Sequence, residues 1–426
     1  MAPYFLPLLS YAGRAQAGKS PRRLRKSFIR FLRYGLGMRQ LILPAAFVLL
    51  TGCTEKIEQA LPPETAQSAP EQRAQNRPEP LAAPAPSPQT PGASKPDTPP
   101  AIQLARPTPR PAAAKTVTPF PVKRCMNLGN SLEAPREGEW GFIIQNADLL
   151  AIKRAGFDTI RLPVRWDTHM GRRAPYAVDP AYMERVAQIV DMAQAAGLGI
   201  VLDVHHYDAL TKNPRSEARR FYALWEQIAR RFSGYSDSVY FELLNEPLRS
   251  TPMKDVNTLY RNAVGIIRKT NPDRIIIMGG NTWNSVDTIG DVDWAGVGWP
   301  KDPNIVATYH DYGPHDFTHQ GATWTDPVLP LGRKWGGRAD ENEFKLTFKQ
   351  AAAFKAQTGL RLFVGEFGVI NQVPMAERNA WMKARRKAME AQGTPWCVWN
   401  YSATFNVFNE QTRQWLPGTK DALMGR

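Results

Sequence analysis

The chain has 426 residues and a formal net charge of +15, but nine Lys or Arg and no acid lie within residues 1–52. That segment supplies +9 of the total, and in the remainder acids and bases are interspersed rather than blocked. With no basic helix carrying interleaved aromatics, the charge reads as a targeting signal plus an ordinary surface, and nucleic-acid binding is excluded as the reading of the composition.

Three stretches follow one another. Within residues 1–52, the run from Leu41 to Leu50 is apolar but too short to span a bilayer comfortably, and it follows Arg39. A basic start, a short apolar core and small residues before a cleavage point describe a secretory signal. Met38-Arg39-Gln40 would by itself open a compact signal, so residues 1–37 read as an upstream extension; a long natural basic region is the alternative. The ending Leu50-Thr51-Gly52-Cys53 resembles the lipobox of bacterial lipoproteins. That resemblance implies export, lipidation of Cys53 and membrane attachment, with Thr54 favouring the outer membrane. Residues 53–119 are rich in Pro, Ala, Ser, Gln and Thr and poor in aromatics, so they cannot bury enough apolar surface to fold. They read as a linker. Residues 120–426 are globular in composition and large enough for one barrel.

From residue 120 onward, short apolar runs alternate with longer amphipathic stretches. The predicted strands are 123–128, 159–162, 199–204, 239–244, 274–278, 305–309, 361–365 and 396–399. The predicted helices include 146–155, 182–196, 217–232, 257–269, 343–357 and 376–392. Eight such units in about 300 residues predict an α/β fold, a closed (β/α)8 TIM barrel, and no Gly-rich dinucleotide turn follows any strand. Cys125 and Cys397 fall on the first and last strands. A bond between adjacent parallel strands is geometrically awkward, so the expectation is two buried thiols.

Polar residues gather where the strands end. The first ends in Asn127 and Asn130, the second carries Arg161, and the third runs into Asp203, His205, His206 and Tyr207. The fourth ends in Asn245-Glu246-Pro247, the sixth in His310 and Tyr312, the seventh in Glu366 and the eighth in Trp399. In a barrel these all converge on the C-terminal mouth, where such enzymes place their chemistry. Glu246 and Glu366 supply the two carboxyl groups that glycosidic hydrolysis needs, one to protonate the leaving oxygen and one to attack the anomeric carbon. Arg161 and His205 are expected to hold Glu366 ionised with a lowered pKa, and a more apolar setting to keep Glu246 protonated. Asn245 is placed to meet a sugar 2-hydroxyl, Tyr312 the nucleophile, His310 the acid, and Trp399 a pyranose face. Trp166, Trp225 and Trp381 are assigned to packing or surface, and Asp203 and Glu242 to supporting roles inside the barrel. The histidines lack His-x-His or His-Glu-x-x-His spacing, so no metal and no cofactor are expected.

These segments together resemble glycoside hydrolase family 5. They run from Met126-Asn127-Leu128-Gly129-Asn130 through Arg161-Leu162-Pro163, Asp203-Val204-His205-His206-Tyr207, Asn245-Glu246-Pro247, His310-Asp311-Tyr312, Phe317-Thr318-His319-Gln320-Gly321 and Gly365-Glu366-Phe367-Gly368 to Trp396-Cys397-Val398-Trp399. The stretches Glu133-Ala134-Pro135 and Glu139-Trp140-Gly141 are similar to a bacterial subgroup of endoglucanases with mannanase side activity. The resemblance implies that Glu246 is the acid/base and Glu366 the nucleophile, with net retention. It also carries Arg161, His205, His206, Asn245, His310, Tyr312, His319 and Trp399 into the site, and Asn130 and Glu133 into the sugar-binding cleft. Two positions depart from the family pattern: Asn400, where an acid often follows the last tryptophan, and Asp311, where aromatic residues are frequent. The expected partner is a β-1,4-linked polysaccharide or oligosaccharide, acted on by a monomer. A carbohydrate-binding lipoprotein without catalysis is the rival, against which the presence of both acids argues. A metal-dependent hydrolase built on the histidines is a second rival and predicts inactivation by chelators.

Overall fold

A computed structural model describes residues 115–425. The signal, the lipidation of Cys53 and the linker up to residue 114 lie outside the described residues. In chain order the principal elements are β1 (Arg124–Asn127), α1 (Asn146–Ala155), β2 (Thr159–Val164), α2 (Pro180–Ala195), β3 (Gly199–Val204), α3 (Pro214–Arg231), β4 (Val239–Glu242) and α4 (Met253–Ile267). There follow β5 (Ile276–Gly279), β6 (Ile305–Asp311), α5 (Arg338–Thr358), β7 (Arg361–Phe367), α6 (Met375–Ala391), β8 (Trp396–Val398) and α7 (Thr419–Met424). The eight strands form a closed barrel in sequence order, with β1 pairing in parallel with both β2 and β8. Between β5 and β6 the short turns Asn281–Asn284 and Val286–Asp291 stand in place of a full helix.

Several helices begin two to five residues before their expected starts, because their first turns are built from caps rather than from apolar periodicity. In α2, Asp179 accepts from the Ala181 amide and Pro180 occupies the first helical position. Pro214 opens α3 in the same way. Such residues carry no hydrophobic signal, so the amphipathic pattern finds only the later turns.

Strand alternation divides the apolar residues into two populations. Met126, Ile160, Leu162, Ile200, Leu202, Phe241, Ala307, Val364 and Val398 face outward and pack under the helices. Trp166, Trp225 and Trp381 are fully buried in that layer, as packing residues. Cys125, Val201, Tyr240, Ile277, Val306, Phe363 and Cys397 face inward and fill the lower barrel. One step further along the same strands, the inward positions turn polar: Asn127, Arg161, Asp203, Glu242, Thr308 and His310. The lumen is therefore apolar at its floor and charged at its rim.

Two expectations are corrected here. Cys125 and Cys397 are not free thiols; they are joined by a disulfide. They are register partners on β1 and β8 and both point into the lumen, so closure of the barrel brings their side chains together. The linker boundary at residue 119 is also too late. Lys115 pairs with Asp302, the Thr118 amide donates to Asn304 Oδ1 at 2.8 Å, and its hydroxyl donates to the Asp273 carbonyl at 2.7 Å. Phe120 then closes the floor of the lumen, edge-on to Tyr240 at 5.0 Å and to Phe363 at 6.0 Å.

Because Phe120 sits at the opposite end from the polar rim and is only partly buried, the Phe120→Ala substitution is expected to cost about 2 kcal/mol of stability, below the roughly 3–5 kcal/mol of a fully buried phenylalanine. Turnover per folded molecule should stay unchanged, as thermal melts and steady-state rates on one preparation will read.

Candidate active site

Glu366 lies inside β7, and its direction depends on an irregularity. Against β6 the register runs from Tyr309↔Val364 directly to His310↔Glu366, and against β8 it shifts between Val364 and Phe367. Gly365 is the extra residue of a β-bulge. Strict alternation would turn Glu366 toward the helices; the bulge brings it level with His310, facing the lumen. A Cβ on Gly365 would stand 2.9 Å from both His310 Nε2 and Thr308 Oγ1, so the bulge needs glycine.

Arg161 rises through the centre of the rim and is fully buried. Its Nε and Nη2 hold Glu242 bidentately at 2.7 and 2.9 Å. Nη1 donates to Glu366 Oε1 at 2.6 Å and to Asn127 Oδ1 at 3.1 Å. Nη2 also reaches Asp203 Oδ2 at 3.0 Å and Asn245 Oδ1 at 2.8 Å. One cation thus serves side chains from β1, β3, β4, β7 and the loop after β4. Asp203 and Glu242 play the supporting part expected of them.

Glu246 follows β4 by four residues, in left-handed backbone with φ 43°. His310 Nδ1 lies 2.6 Å from Glu246 Oε1 and 3.6 Å from Glu366 Oε2, and Tyr312 Oη donates to Glu366 Oε2 at 2.8 Å. Asn284 Nδ2 approaches His310 Nε2 at 3.4 Å, which places the ring proton on Nδ1, pointing at Glu246. The glutamates differ in access: the Glu246 side chain is 25% exposed and that of Glu366 is 6% exposed. Together with His310 they bring one ligand atom each within 4.8 Å of one another.

Burial dominates the electrostatics. It pushes Glu246 up to about 8, with Arg161 opposing and Asp203 and Glu242 adding to the rise. Glu366 is pushed up to about 7 by burial, against the pull of His310, Arg161 and the Tyr312 hydrogen bond. This corrects the expected lowering for Glu366: desolvation outweighs the guanidinium. His205 takes no direct part in holding it. Its Nδ1 bonds Asp203 Oδ2 at 2.6 Å, and its Nε2 lies 3.3 Å from Asn245 Nδ2. Burial and Arg161 hold His205 well below the usual imidazole range, so the ring is neutral. Asn245 is locked by Arg161 on its oxygen and His205 on its nitrogen, which leaves its second amide hydrogen without a protein acceptor among the described residues.

The remaining expected residues divide. Trp399 lies parallel to His205, ring centroids 5.8 Å apart and 4° between planes; His206 packs edge-on to His205 at 4.5 Å. A Cβ on Gly129 would come within 2.5 Å of the Trp399 ring, so the β1 loop runs flat against that indole. His319 stacks on His315 at 4.2 Å and meets Tyr312 edge-on at 5.0 Å. Glu133 is the second correction: it lines no cleft. Both its oxygens are taken by the backbone amides of Asn130 and Ser131, and burial pushes it up to about 7. Asn130 is tied by its Oδ1 to Asn400 Nδ2 at 3.0 Å. Asn400 itself is fully buried and also accepts from the Gly129 amide at 2.9 Å, so it joins the β1 and β8 loops. Sequence reasoning missed Asn284, which follows an unremarkable strand end and carries no local motif. It also left Trp324 unassigned and gave Trp140 no role. Both are exposed, Trp140 beside His206 and Trp324 beside Phe405.

Glu246, His310 and Glu366 form the one group among the described residues with the ligand count and spacing for a cation. The Arg161 guanidinium already occupies Glu366 Oε1 at 2.6 Å, and the neutral His310 donates its Nδ1 proton to Glu246. The site as built is a carboxyl pair served by protein donors.

A parallel barrel with two carboxyl groups facing each other at its C-terminal rim is the architecture of a glycoside hydrolase. The family described as Cellulase (glycosyl hydrolase family 5) matches residues 123–404, and the chain belongs to it. Endoglucanase H of Acetivibrio thermocellus is 33% identical over 307 residues, which is 71% of this chain and 32% of that protein. The chain therefore spans about a third of that relative's length. A hyperthermophilic endo-β-1,4-glucanase solved in complex with substrate shares 33% identity at a TM-score of 0.69, covering 72% of this chain and 97% of the other. Cel5A of Thermotoga maritima, solved with a mannotriose substrate, shares 31% identity at a TM-score of 0.67, with 71% and 97% covered.

Arg161→Met would leave three buried carboxyl groups without their cation. The expected loss is about 3–5 kcal/mol, the range for breaking a buried pair by removing one partner, and turnover should vanish even where the variant stays folded. Denaturant titration beside a rate assay measures both; wild-type stability in this variant contradicts the network.

Proposed function

We propose that the barrel is a retaining endo-β-1,4-glycanase that cleaves β-1,4-glucan and accepts β-1,4-mannan as a second substrate. The observation that carries this is the approach of Glu246 and Glu366, with an oxygen of each within 4.8 Å. Retaining enzymes hold their carboxyl groups about 5–5.5 Å apart, whereas inverting enzymes leave about 6.5–9.5 Å for a water molecule. An approach within 4.8 Å falls on the retaining side of that division.

The steps follow from the bonding. Glu366, oriented by Arg161 and Tyr312, attacks the anomeric carbon as the glycosidic bond breaks. Glu246 holds its proton on the oxygen that His310 does not occupy and donates it to the departing oxygen. The resulting glycosyl-Glu366 ester is opened by water, whose proton returns to Glu246, and the anomeric configuration is restored. The free amide hydrogen of Asn245 meets the hydroxyl beside the reacting carbon, and Trp399 offers a ring face to the pyranose. Exposed Trp140 and Trp324 supply further apolar platforms along the rim, which supports binding of a long chain and endo action. The likeness to endoglucanases supports glucan, and the mannotriose complex of the Thermotoga maritima enzyme supports mannan.

The test is product analysis on a panel of β-glycans, with the anomer of the first product read by NMR. Inverted product, or no reducing sugar from any β-1,4-glucan or mannan, would falsify the reading. Glu366→Ala should abolish turnover with folding intact. The pH profile follows from the pair: Glu366 must lose its proton, so the rate rises through about 7, and Glu246 must keep its own, so the rate falls through about 8. A narrow bell in kcat/KM is expected, and Glu246→Ala should remove its alkaline limb.

We further propose that the mature chain is exported and held at the outer membrane through a lipidated Cys53, a reading supported by the Leu-Thr-Gly-Cys ending. Cells fed labelled fatty acid should label this protein but not its Cys53→Ala variant; equal labelling of both would remove the anchor from Cys53.

A further inference from the structure

Asp311 ends β6 between His310 and Tyr312, the two residues that touch the catalytic pair. Alternation points His310 into the lumen and Asp311 out toward the helices, where it is buried. There it meets Arg385 of α6, which is fully buried too. Arg385 Nη1 stands 3.2 Å from each Asp311 oxygen. Its Nη2 donates to the Gly313 carbonyl and, at 2.7 Å, to Glu343 of α5. The same Gly313 carbonyl accepts from Trp381 Nε1 at 2.9 Å. The guanidinium is stacked among Phe344, Trp381 and Phe348, at 4.8, 5.1 and 5.7 Å from their ring centres.

Arg385 therefore grips the backbone on both sides of Tyr312, through residue 311 and through residue 313. Thr318 fixes the residue between them, its hydroxyl donating to the Tyr312 carbonyl at 2.6 Å. Stability alone does not account for the pair. A buried ion pair loses most of its attraction to desolvation, and apolar residues of similar size are commonly as stable or more so. Burial pushes Asp311 up to about 6 even with Arg385 beside it, which records that cost. Directional bonds, unlike apolar packing, fix where a strand end sits.

We propose that Arg385 is a positioning residue for the hydrolysis: by clamping Asp311 and Gly313 it sets the hydrogen bonds that His310 and Tyr312 make to Glu246 and Glu366. This rests on the glycosidase reading above, and it adds a determinant on the outer helix layer that touches no substrate.

Arg385→Met keeps length and apolar packing and removes every directional bond. In the intact protein, with an aryl β-cellobioside as substrate, kcat should fall about ten- to a hundredfold, the loss that a small misplacement of reacting groups produces from a distance. KM should stay within about twofold, because no sugar contact is removed, and both limbs of the pH profile should move. Arg385→Lys, which can bind Asp311 but cannot fork to Gly313, should recover part of the rate. A folded Arg385→Met with wild-type kcat and unmoved limbs overturns the proposal, whatever its melting temperature. If that variant fails to fold, Asp311→Leu, of similar size and without an acceptor for Arg385, carries the same test: wild-type kcat and limbs there overturn it equally. Carbon-13 titration of the two glutamate carboxyls in wild type and variant needs no turnover. Unchanged titration defeats the clamp, while changed titration in a protein inactive on every glycan upholds it and defeats the glycosidase reading instead.

Discussion

One guanidinium carries the rim of this barrel. Among the described residues, Arg161 is the one cation bonded to Glu242, Asp203 and Glu366, and Glu246 lies within its field as well. A single positive charge cannot keep that many buried carboxylates ionised in a low-dielectric interior, so protons must be retained near neutral pH. Asp203 is pushed up to about 7 by burial against the pull of Arg161, and Glu366 and Glu246 rise with it. The scarcity of positive charge leaves both facing glutamates above the usual carboxylate range. An apolar residue at 161 would remove the pull that Arg161 exerts against that rise.

The neutral histidines belong to the same arrangement. Burial holds His310 at about 4, with Glu366 opposing and Arg161 reinforcing the drop. It relays hydrogen bonding between Asn284 and Glu246 without adding charge that would draw the proton off the acid. Left-handed backbone collects at the same places. Asn130, His206, Glu246 and the run Thr282 to Asn284 all follow strand ends at the mouth, each with positive φ on a residue other than glycine. Conformations of this kind cost about 1–3 kcal/mol each and persist where surrounding bonds over-determine them. At Glu246 those bonds are made by its neighbours, since Asn245 is locked between Arg161 and His205.

Much of this was legible because period-two patterning assigns each strand residue to lumen or helix layer before any contact is known. The inward placing of Asp203 and Glu242 follows from that rule, whereas the Asn-Glu-Pro and Gly-Glu-Phe-Gly runs were legible as polar motifs where strands end. What escaped it were departures from regularity. The bulge at Gly365 cannot be read from periodicity, yet without it Glu366 would face away from the site. Glu133 sits in a loop, where sequence does not say whether a carboxyl looks at solvent or at its own backbone. It turned inward. The pKa of Glu366 was judged from its partners alone, and the larger effect was the loss of water around it. Likewise, strand adjacency placed Cys125 near Cys397, but only register and facing decide whether sulfur meets sulfur.

The chain enters this barrel at the floor, where Phe120 seals the lumen. The last described helix lies there too, since the Met424 carbonyl accepts from Arg124 at the start of β1. Both ends of the described residues thus lie at the pole farthest from the cleft. The rim is left clear of either end of the described residues. Immobilisation on a bead or fusion to another module at either end would inherit that geometry.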